Sequence, residues 1–318
     1  MSQPDTEHRT AVQHVRIEKD QAGQRIDNFL LNRLRGLPKS AVYKLLRTGQ
    51  VRVNKKRIKA VYRLSEGDDV RIPPVNRKSP DQTARAPDAL IRDVERRVLV
   101  EDEYLMIIDK PSGLAVHKGS GLGFGLIDVL RQARPNAPYL ELVHRLDRET
   151  SGCIIIAKQR QILNELHDLI RHNQVKKHYL TLLDGRMNFT GTKAVKTPIE
   201  ESRQSGQKVM RVSDKGKMAI SYFRPLKKYR DATLAAVELE TGRTHQIRVQ
   251  AAHLGHPVLG DSRYGSHAVN REWKKRGLRR LFLHASEVSF QLPTSGRKYA
   301  ASAPLERDLN ELLEQLPR

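Results

Sequence analysis

Residues 144–158 read HRLDRETSGCIIIAK. A carboxylate, Asp147, stands between Arg145 and Arg148, and the polar stretch ends at Gly152 before the apolar run Cys153–Ala157. A short apolar run behind such a break reads as a buried strand, and loops that enter strands often carry function. Outward from it, Tyr104–Asp109, Tyr179–Leu183 and Ala232–Leu239 read as further strands, while Leu126–Ala133, Gln161–Arg171 and His245–Leu254 read as helices. Their mixed order predicts an α+β fold. No internal repeat recurs at a fixed period, which argues against solenoids and propellers.

The 318 residues carry 58 Lys+Arg against 36 Asp+Glu, a net charge of +22, and are 38% hydrophobic. At about 150 residues per domain this length suggests two domains, with enough apolar residues for a real core. The excess of positive charge calls for an acidic partner. Apolar runs such as Tyr104–Ile108 fall far short of the ~18–20 residues needed to span a bilayer. The polar stretch Met1–His14 has no apolar segment of a secretory signal, so a cytoplasmic protein is expected. A single cysteine, Cys153, rules out intramolecular disulfides and multi-thiolate metal sites.

Half of the net charge lies in residues 16–78, which hold 17 Lys+Arg against 6 Asp+Glu. Such density marks a phosphate-backbone binder, since neutralised phosphates release counterions. A solvated face is the plainer alternative. Membrane-surface binding is disfavoured because the stretch lacks a long amphipathic helix with bulky aromatics. Ile26, Phe29, Leu30 and Leu34 recur at helical spacing, and Val42, Leu45 and Leu46 repeat it after Pro38. Gly49 ends the second helix, Val51–Ile58 alternates apolar and basic residues as a small hairpin does, and Asp69–Ile72 reads as a closing strand. Arg25, Arg33, Lys39, Lys44, Arg47, Arg52, Lys55, Lys56 and Arg57 fall opposite the apolar positions and are expected to share one surface. From Pro73 to Arg92, four prolines among polar residues read as a linker, so the expected domains are 16–78 and 95–318, joined by 79–94.

The chemistry needs more than composition. Gly119–Gly125 has the spacing G-x-G-x-G-x-G with no Walker lysine after it, and reads as a flexible loop. His245, His253 and His256 invite a metal reading, but no carboxylate pair or thiolate accompanies them; they read as structural or RNA-facing. Asp147 between two arginines is either a surface ion pair or a positioned nucleophile or base, since arginines favour an ionised carboxylate and such a group can attack a sugar carbon. With Glu149 only two residues away, the two-carboxylate arrangement of a glycosidase is not supported.

The run HRLDRETSG at 144–152 resembles the catalytic signature of the RluA family of pseudouridine synthases. DKPSGLAVHKGSG at 109–121, KKHYL at 176–180 and TGRTHQIRVQAAHLGHPVLGDSRYG at 241–265 resemble that family's other motifs, in order. GQRIDNFLLNRLRGLPKSAVYKLLRTGQVRVNKKRIK at 23–59 is similar to S4 RNA-binding domains. The resemblance covers nearly all of residues 16–305. It implies a small S4-like domain followed by a larger synthase domain built on a mixed, mainly antiparallel sheet. It further implies isomerisation of specific uridines in large-subunit (23S) ribosomal RNA or its assembly precursor, by a monomer that needs neither metal nor organic cofactor. Asp147 matches the aspartate that acts on the ribose carbon bearing the base, and Arg248 the arginine that pairs with it. Arg145 matches the arginine that enters the RNA stack as the uridine leaves, and Tyr179 the tyrosine that packs on the flipped base. Arg25, Lys39, Lys44, Arg47, Arg52, Lys55, Lys56 and Arg57 are the expected RNA contacts of the S4-like domain. Asp109, where relatives often have Asn, and Gln250, where His is frequent, depart from the pattern without touching those positions. The rival expectation is a noncatalytic S4-type RNA-binding or ribosome-assembly protein.

Overall fold

Ile26, Phe29, Leu30, Leu34, Val42 and Leu46 meet in one core, as their spacing requires, within the smaller of two compact units, residues 1–85 and 86–318. This computed structural model describes residues 8–9, 11–19, 21–34, 37–77, 85–118, 123–204 and 207–317. The first unit runs β1 (His8–Arg9), β2 (Gln13–Arg16), α1 (Ile26–Arg33), α2 (Lys39–Arg47), β3 (Arg52–Val53), β4 (Asp69–Ile72) and β5 (Asn76–Arg77). β1 pairs with β5, and β2, β4 and β3 form a three-stranded antiparallel sheet in that order. The hairpin expected over Val51–Ile58 contracts to a tight turn. Asn54 and Lys55 take φ of 49° and 66°, one bridge joins Val53 to Lys56, and β3 finds its ladder in β4. The Asn54 side chain decides this by donating to Asp68 at 2.8 Å and accepting from the Asp69 amide at 2.9 Å, which draws the turn onto β4.

The second unit runs α3 (Asp88–Arg96), β6 (Val98–Glu101), β7 (Leu105–Lys110), α4 (Leu126–Ala133), β8 (Glu141–Leu142), β9 (Ser151–Ala157), α5 (Arg160–Arg171) and β10 (Lys176–Asp184). It continues with β11 (Lys193–Gln204), β12 (Gln207–Val212), β13 (Lys217–Lys228), β14 (Ala232–Leu239), α6 (Gln246–His253), α7 (His267–Lys275), β15 (Leu283–Gln291), β16 (Lys298–Ser302) and α8 (Arg307–Gln315). The linker expected over 79–94 is corrected here: its residues from Asp88 on belong to α3, capped by Pro87, with Val94 buried and Leu90 and Ile91 packed beside it. Pro87 begins this helix, in keeping with the tolerance of proline at helix starts. Of the loop Gly119–Gly125, residues 119–122 lie outside the described residues.

The sheet of this unit has eleven strands along the path β12-β11-β13-β14-β10-β15-β9-β7-β6, with β16 beside β15 and β8 beside β9. Every pairing is antiparallel except β9 with β15. β7 and β9 read as unbroken apolar runs because both their faces are covered. Met106, Ile108, Ile154 and Ile156 pack on the side of α3 and α4, with Val94, Leu126 and Leu130. Leu105, Ile107, Ile155 and Ala157 pack on the opposite side against Ile162, Leu166 and Leu169 of α5. Cys153 is buried there, and burial pushes its thiol up to about 12.

β9 and β15 meet where Ser151 pairs with His284 and Gly152 with Ala285. A Cβ on Gly152 would lie 2.2 Å from the Ala285 carbonyl oxygen, and its φ of 104° suits only glycine. Ser151 Oγ, 2.9 Å from His284 Nδ1, accepts from Arg280 at 2.6 Å and closes the junction. Gly152→Ala is therefore expected to destabilise the second unit by roughly 3 kcal/mol or more, lowering its melting temperature by about 6–12 °C. Circular dichroism melts of the two proteins check this; a shift under about 2 °C contradicts the close-approach account.

Candidate active site

The loop before β9 is held by backbone-directed bonds. His144 Nε2 accepts from the Ile155 amide at 3.2 Å; burial pushes this imidazole down to about 4, so it is neutral and able to accept. Lys110, fully buried at the end of β7, donates to the carbonyls of Pro111, Leu114 and Arg148 at 2.9, 2.9 and 3.1 Å. Its amine is lowered to about 7, first by burial and then by the charge of Arg280. Arg148 Nε and the Gly113 amide exchange bonds with the carbonyls of Gly113 and Arg148, both at 2.9 Å. Ser112 Oγ reaches the Glu149 carbonyl at 2.8 Å. The stretch 110–114 thus serves as the frame in which Asp147 is carried.

Asp147 pairs with neither of its neighbouring arginines. Its partner is Arg248 on α6, whose Nη1 donates to Asp147 Oδ2 at 3.0 Å. The rest of that guanidinium is occupied by Asp261, which accepts from Nε at 2.7 Å and from Nη2 at 2.8 Å. A two-pronged grip of this kind fixes the plane of an arginine. Burial disfavours the charges of Arg248 and Asp261. The carboxylates outweigh it and raise Arg248, while Arg248 and the amides of Arg263 and Tyr264 hold Asp261 below its ordinary value.

His245 caps the start of α6 in the left-handed region, at φ 53°, and places Nε2 at 3.7 Å from Asp147 Oδ2. Its Nδ1 lies 2.7 Å from the Tyr264 hydroxyl, which itself accepts from the Met210 amide at 2.9 Å. A hydroxyl that accepts from an amide is free to donate onward, so Tyr264 supplies Nδ1 and leaves the Nε2 proton facing Asp147. Burial lowers His245, against the pull of Asp147.

Tyr179 comes from β10 at a shift of register against β15, between His178 and Leu180. Such irregularities re-aim a side chain. Its ring lines a cavity of about 300 Å³ with Asp147, Leu239, Ile247, Arg248 and Leu283. That volume is at the lower end for small-molecule sites and has mainly apolar walls, as an isolated base requires. Burial raises the Tyr179 phenol, so it stays protonated. Arg145 is exposed at the rim of this cavity and of a wider one of about 750 Å³ on the other side of Asp147, where Lys118, Arg148, Arg263 and Arg279 also lie. The four candidate catalytic residues are therefore brought together. The two departures are not: Asp109 pairs with Arg97 at 3.2 Å, and buried Gln250 fastens α6 to β11 and β13 through the carbonyls of Val195 and Ala219.

A family model described as RNA pseudouridylate synthase matches residues 104–253, and one for the S4 domain matches residues 24–70. Ribosomal large subunit pseudouridine synthase C of Escherichia coli (strain K12) is 45% identical over 313 residues, covering 96% of this chain and 97% of that protein. The protein of that name from Yersinia pestis is 46% identical over 307 residues, 95% of each chain. The chain belongs to the RNA pseudouridylate synthase family. A solved structure of human RNA pseudouridylate synthase domain containing 4 agrees with its fold at a TM-score of 0.59 and 26% identity, covering 73% of this chain and 98% of that one.

For this synthase, reading residues one at a time missed Asp261, His245 as a neighbour of Asp147, and Lys110. All lie inside the motifs quoted above, and the buried-arginine requirement for a second carboxylate was the available signal for Asp261. In the S4 unit, Lys39, Lys44, Arg47, Arg52, Lys55, Lys56 and Arg57 are exposed, whereas Arg25 is half-buried against Asp27 at 2.6 Å. Arg57 donates to the Arg47 carbonyl at 3.3 Å. His256 Nδ1 bonds the Asp184 carbonyl at 2.8 Å. Among the described residues no helix is long and apolar enough to cross a membrane.

Asp261→Asn leaves the Arg248 charge half-compensated and is expected to cost roughly 3 kcal/mol at neutral pH. Because folding lowers Asp261 from 3.8, its contribution is in force above that value and is lost as pH falls through the folded-state value. Urea unfolding of both proteins should thus show a gap at pH 7 that narrows below about pH 4; a gap independent of pH contradicts the assignment.

Proposed function

We propose that this synthase isomerises specific uridines in large-subunit ribosomal RNA, with Asp147 acting on the ribose of a flipped-out uridine. The observation that carries the reading is the Asp147 carboxylate, oriented by Arg248 at 3.0 Å, at the mouth of a base-sized cavity walled by Tyr179. The names borne by relatives 45% and 46% identical support the substrate. The four candidate catalytic side chains at the cavity, Arg145, Asp147, Tyr179 and Arg248, all come from one chain, in keeping with action as a monomer. A ribosomal substrate and a single buried cysteine support a cytoplasmic setting.

The reaction is an isomerisation. The bond from the ribose carbon to N1 of uracil breaks, a bond to carbon 5 forms, carbon 5 loses a proton and N1 gains one. Asp147 acts at the ribose side, and the bond from Arg248 Nη1 keeps its carboxylate aimed, with His245 Nε2 3.7 Å away. Tyr179, protonated and buried in the cavity wall, presents its ring to the free base. The mainly apolar walls suit the faces of the detached base. Arg145, exposed at the rim, fills the gap left in the RNA stack with its planar guanidinium. The cations of the wider cavity and of the S4 unit meet phosphates.

On unmodified large-subunit ribosomal RNA transcript, nucleoside mass spectrometry should find pseudouridine with the parent protein. Asp147→Asn should lower its rate of formation by at least about 10³-fold while RNA binding persists. Pseudouridine from Asp147→Asn at the parental rate removes Asp147 from the chemistry, and none from the parent on ribosomal or transfer RNA supports the noncatalytic reading. Replacing Lys55, Lys56 and Arg57 together by Ala should weaken binding and flatten the dependence of log K on log salt by about 0.7–0.9 per lost contact. An unchanged slope removes them from the interface.

A further inference from the structure

Tyr43 has no place in a core. It lies on the water-facing side of α2, whose inward residues are Val42 and Leu46, and it remains 44% exposed. Among the described residues it is the one large aromatic that is exposed. Its hydroxyl end is nevertheless fixed. It donates to Asp27 Oδ2 at 3.0 Å, and Asp27 is itself buried, accepting from Arg25 Nη2 at 2.6 Å, Arg25 Nε at 3.1 Å and the Asn28 amide at 2.9 Å. A freely rotating surface tyrosine would lose side-chain entropy on capturing a ligand; one tethered through its hydroxyl has already lost it.

Charge surrounds the ring. Lys39 and Arg47 stand four residues before and after it, on the same row of the helix, about 6 Å along the axis in each direction. Lys44 is adjacent, and Arg25 shares Asp27 with it. An aromatic face bracketed by cations along one line suits a nucleotide whose base lies flat on the ring while its flanking phosphates meet the cations. We infer that Tyr43 is a preorganised stacking platform for one unpaired base of the RNA held by the S4 unit, with Lys39 and Arg47 on the adjoining phosphates. The inference rests on the RNA-binding reading of that unit. It makes the S4 unit sensitive to single-stranded character in its target as well as to charge, because a base inside a duplex has no free face to offer. An acidic peptide would engage the same cations but would have no need of a fixed ring.

The test uses the full chain and a large-subunit ribosomal RNA transcript, and needs no turnover. Filter binding is measured across a salt series for the parent, Tyr43→Leu and Tyr43→Phe. Tyr43→Leu should weaken binding roughly tenfold at each salt concentration without altering the slope of log K against log salt, since a stack is lost and no phosphate contact is. Tyr43→Phe keeps the ring and should bind within about threefold of the parent. Irradiation of the complex with transcript carrying 5-bromouridine should place a nucleotide adduct on the peptide containing Tyr43, read by mass spectrometry. Parental affinity in Tyr43→Leu overturns the inference. So does a loss in Tyr43→Phe as large as in Tyr43→Leu, which would assign the effect to the hydroxyl's hold on Asp27. A slope reduced by about one in Tyr43→Leu, which would mean displaced cations, overturns it as well. Failure of the catalytic reading would appear as missing pseudouridine with these binding results intact.

Discussion

The parallel contact between β9 and β15 decides where chemistry is possible in this molecule. At Gly152 the two backbones approach until a methyl group would collide with the Ala285 carbonyl, so the loop ahead of β9 is delivered directly against the middle of the sheet. β15 is paired along its other edge with β10, whose irregular step at Tyr179 faces the same space. The loop that carries Asp147 and the strand that carries Tyr179 are separated in sequence by α5 and become neighbours only through β15. A looser junction would place the two side chains in different surroundings.

Once that junction exists, the site is organised by a deficit of solvent. Arg248 is removed from water, and a buried guanidinium demands carboxylates on most of its donors. Asp261 takes two and Asp147 the remaining edge, so Asp147 completes the arrangement as well as serving as its reactive end. An ion pair under these conditions contributes less to stability than to direction. The direction is what a carboxylate needs when it must meet one carbon of a ribose. Lys110 does equivalent work on the backbone, tying the loop through three carbonyls rather than through any acid.

Local patterns in the sequence reported local structure well. Cys153–Ala157 and Leu105–Ile108 were legible as strands because runs buried on both faces are apolar throughout, and α1, α2, α4 and α5 because one face of each is wet. Asp147, Tyr179, Arg145 and Arg248 were legible through the resemblance, while their physics, above all which arginine Asp147 pairs with, depends on a contact across 101 residues. Charge pattern alone suggested Arg145 and Arg148 as partners, but Asp147 pairs with Arg248, and Arg148 bonds the Gly113 carbonyl. Helix α3 was obscured by the prolines ahead of it, one of which turned out to be its cap. The hairpin over Val51–Ile58 is tighter than its alternation suggests, because Asn54 bonds to Asp68 and Asp69, and nothing within the hairpin itself reveals that. Tyr43 is inconspicuous in the sequence because an outward aromatic interrupts no periodicity.

The position of the lone thiol gives the fold a property unrelated to its function. Cys153 follows Gly152 directly, at the parallel junction, and lies buried and protonated with its thiol raised to about 12. In the folded chain it is hidden from alkylating reagents and slow to ionise. Modification must wait until β9 separates from its neighbours, so the rate at which the native protein takes up a thiol label under gentle conditions times the opening of the strand that bears the catalytic loop. The molecule carries its own clock for that event, with no second cysteine to confuse the reading.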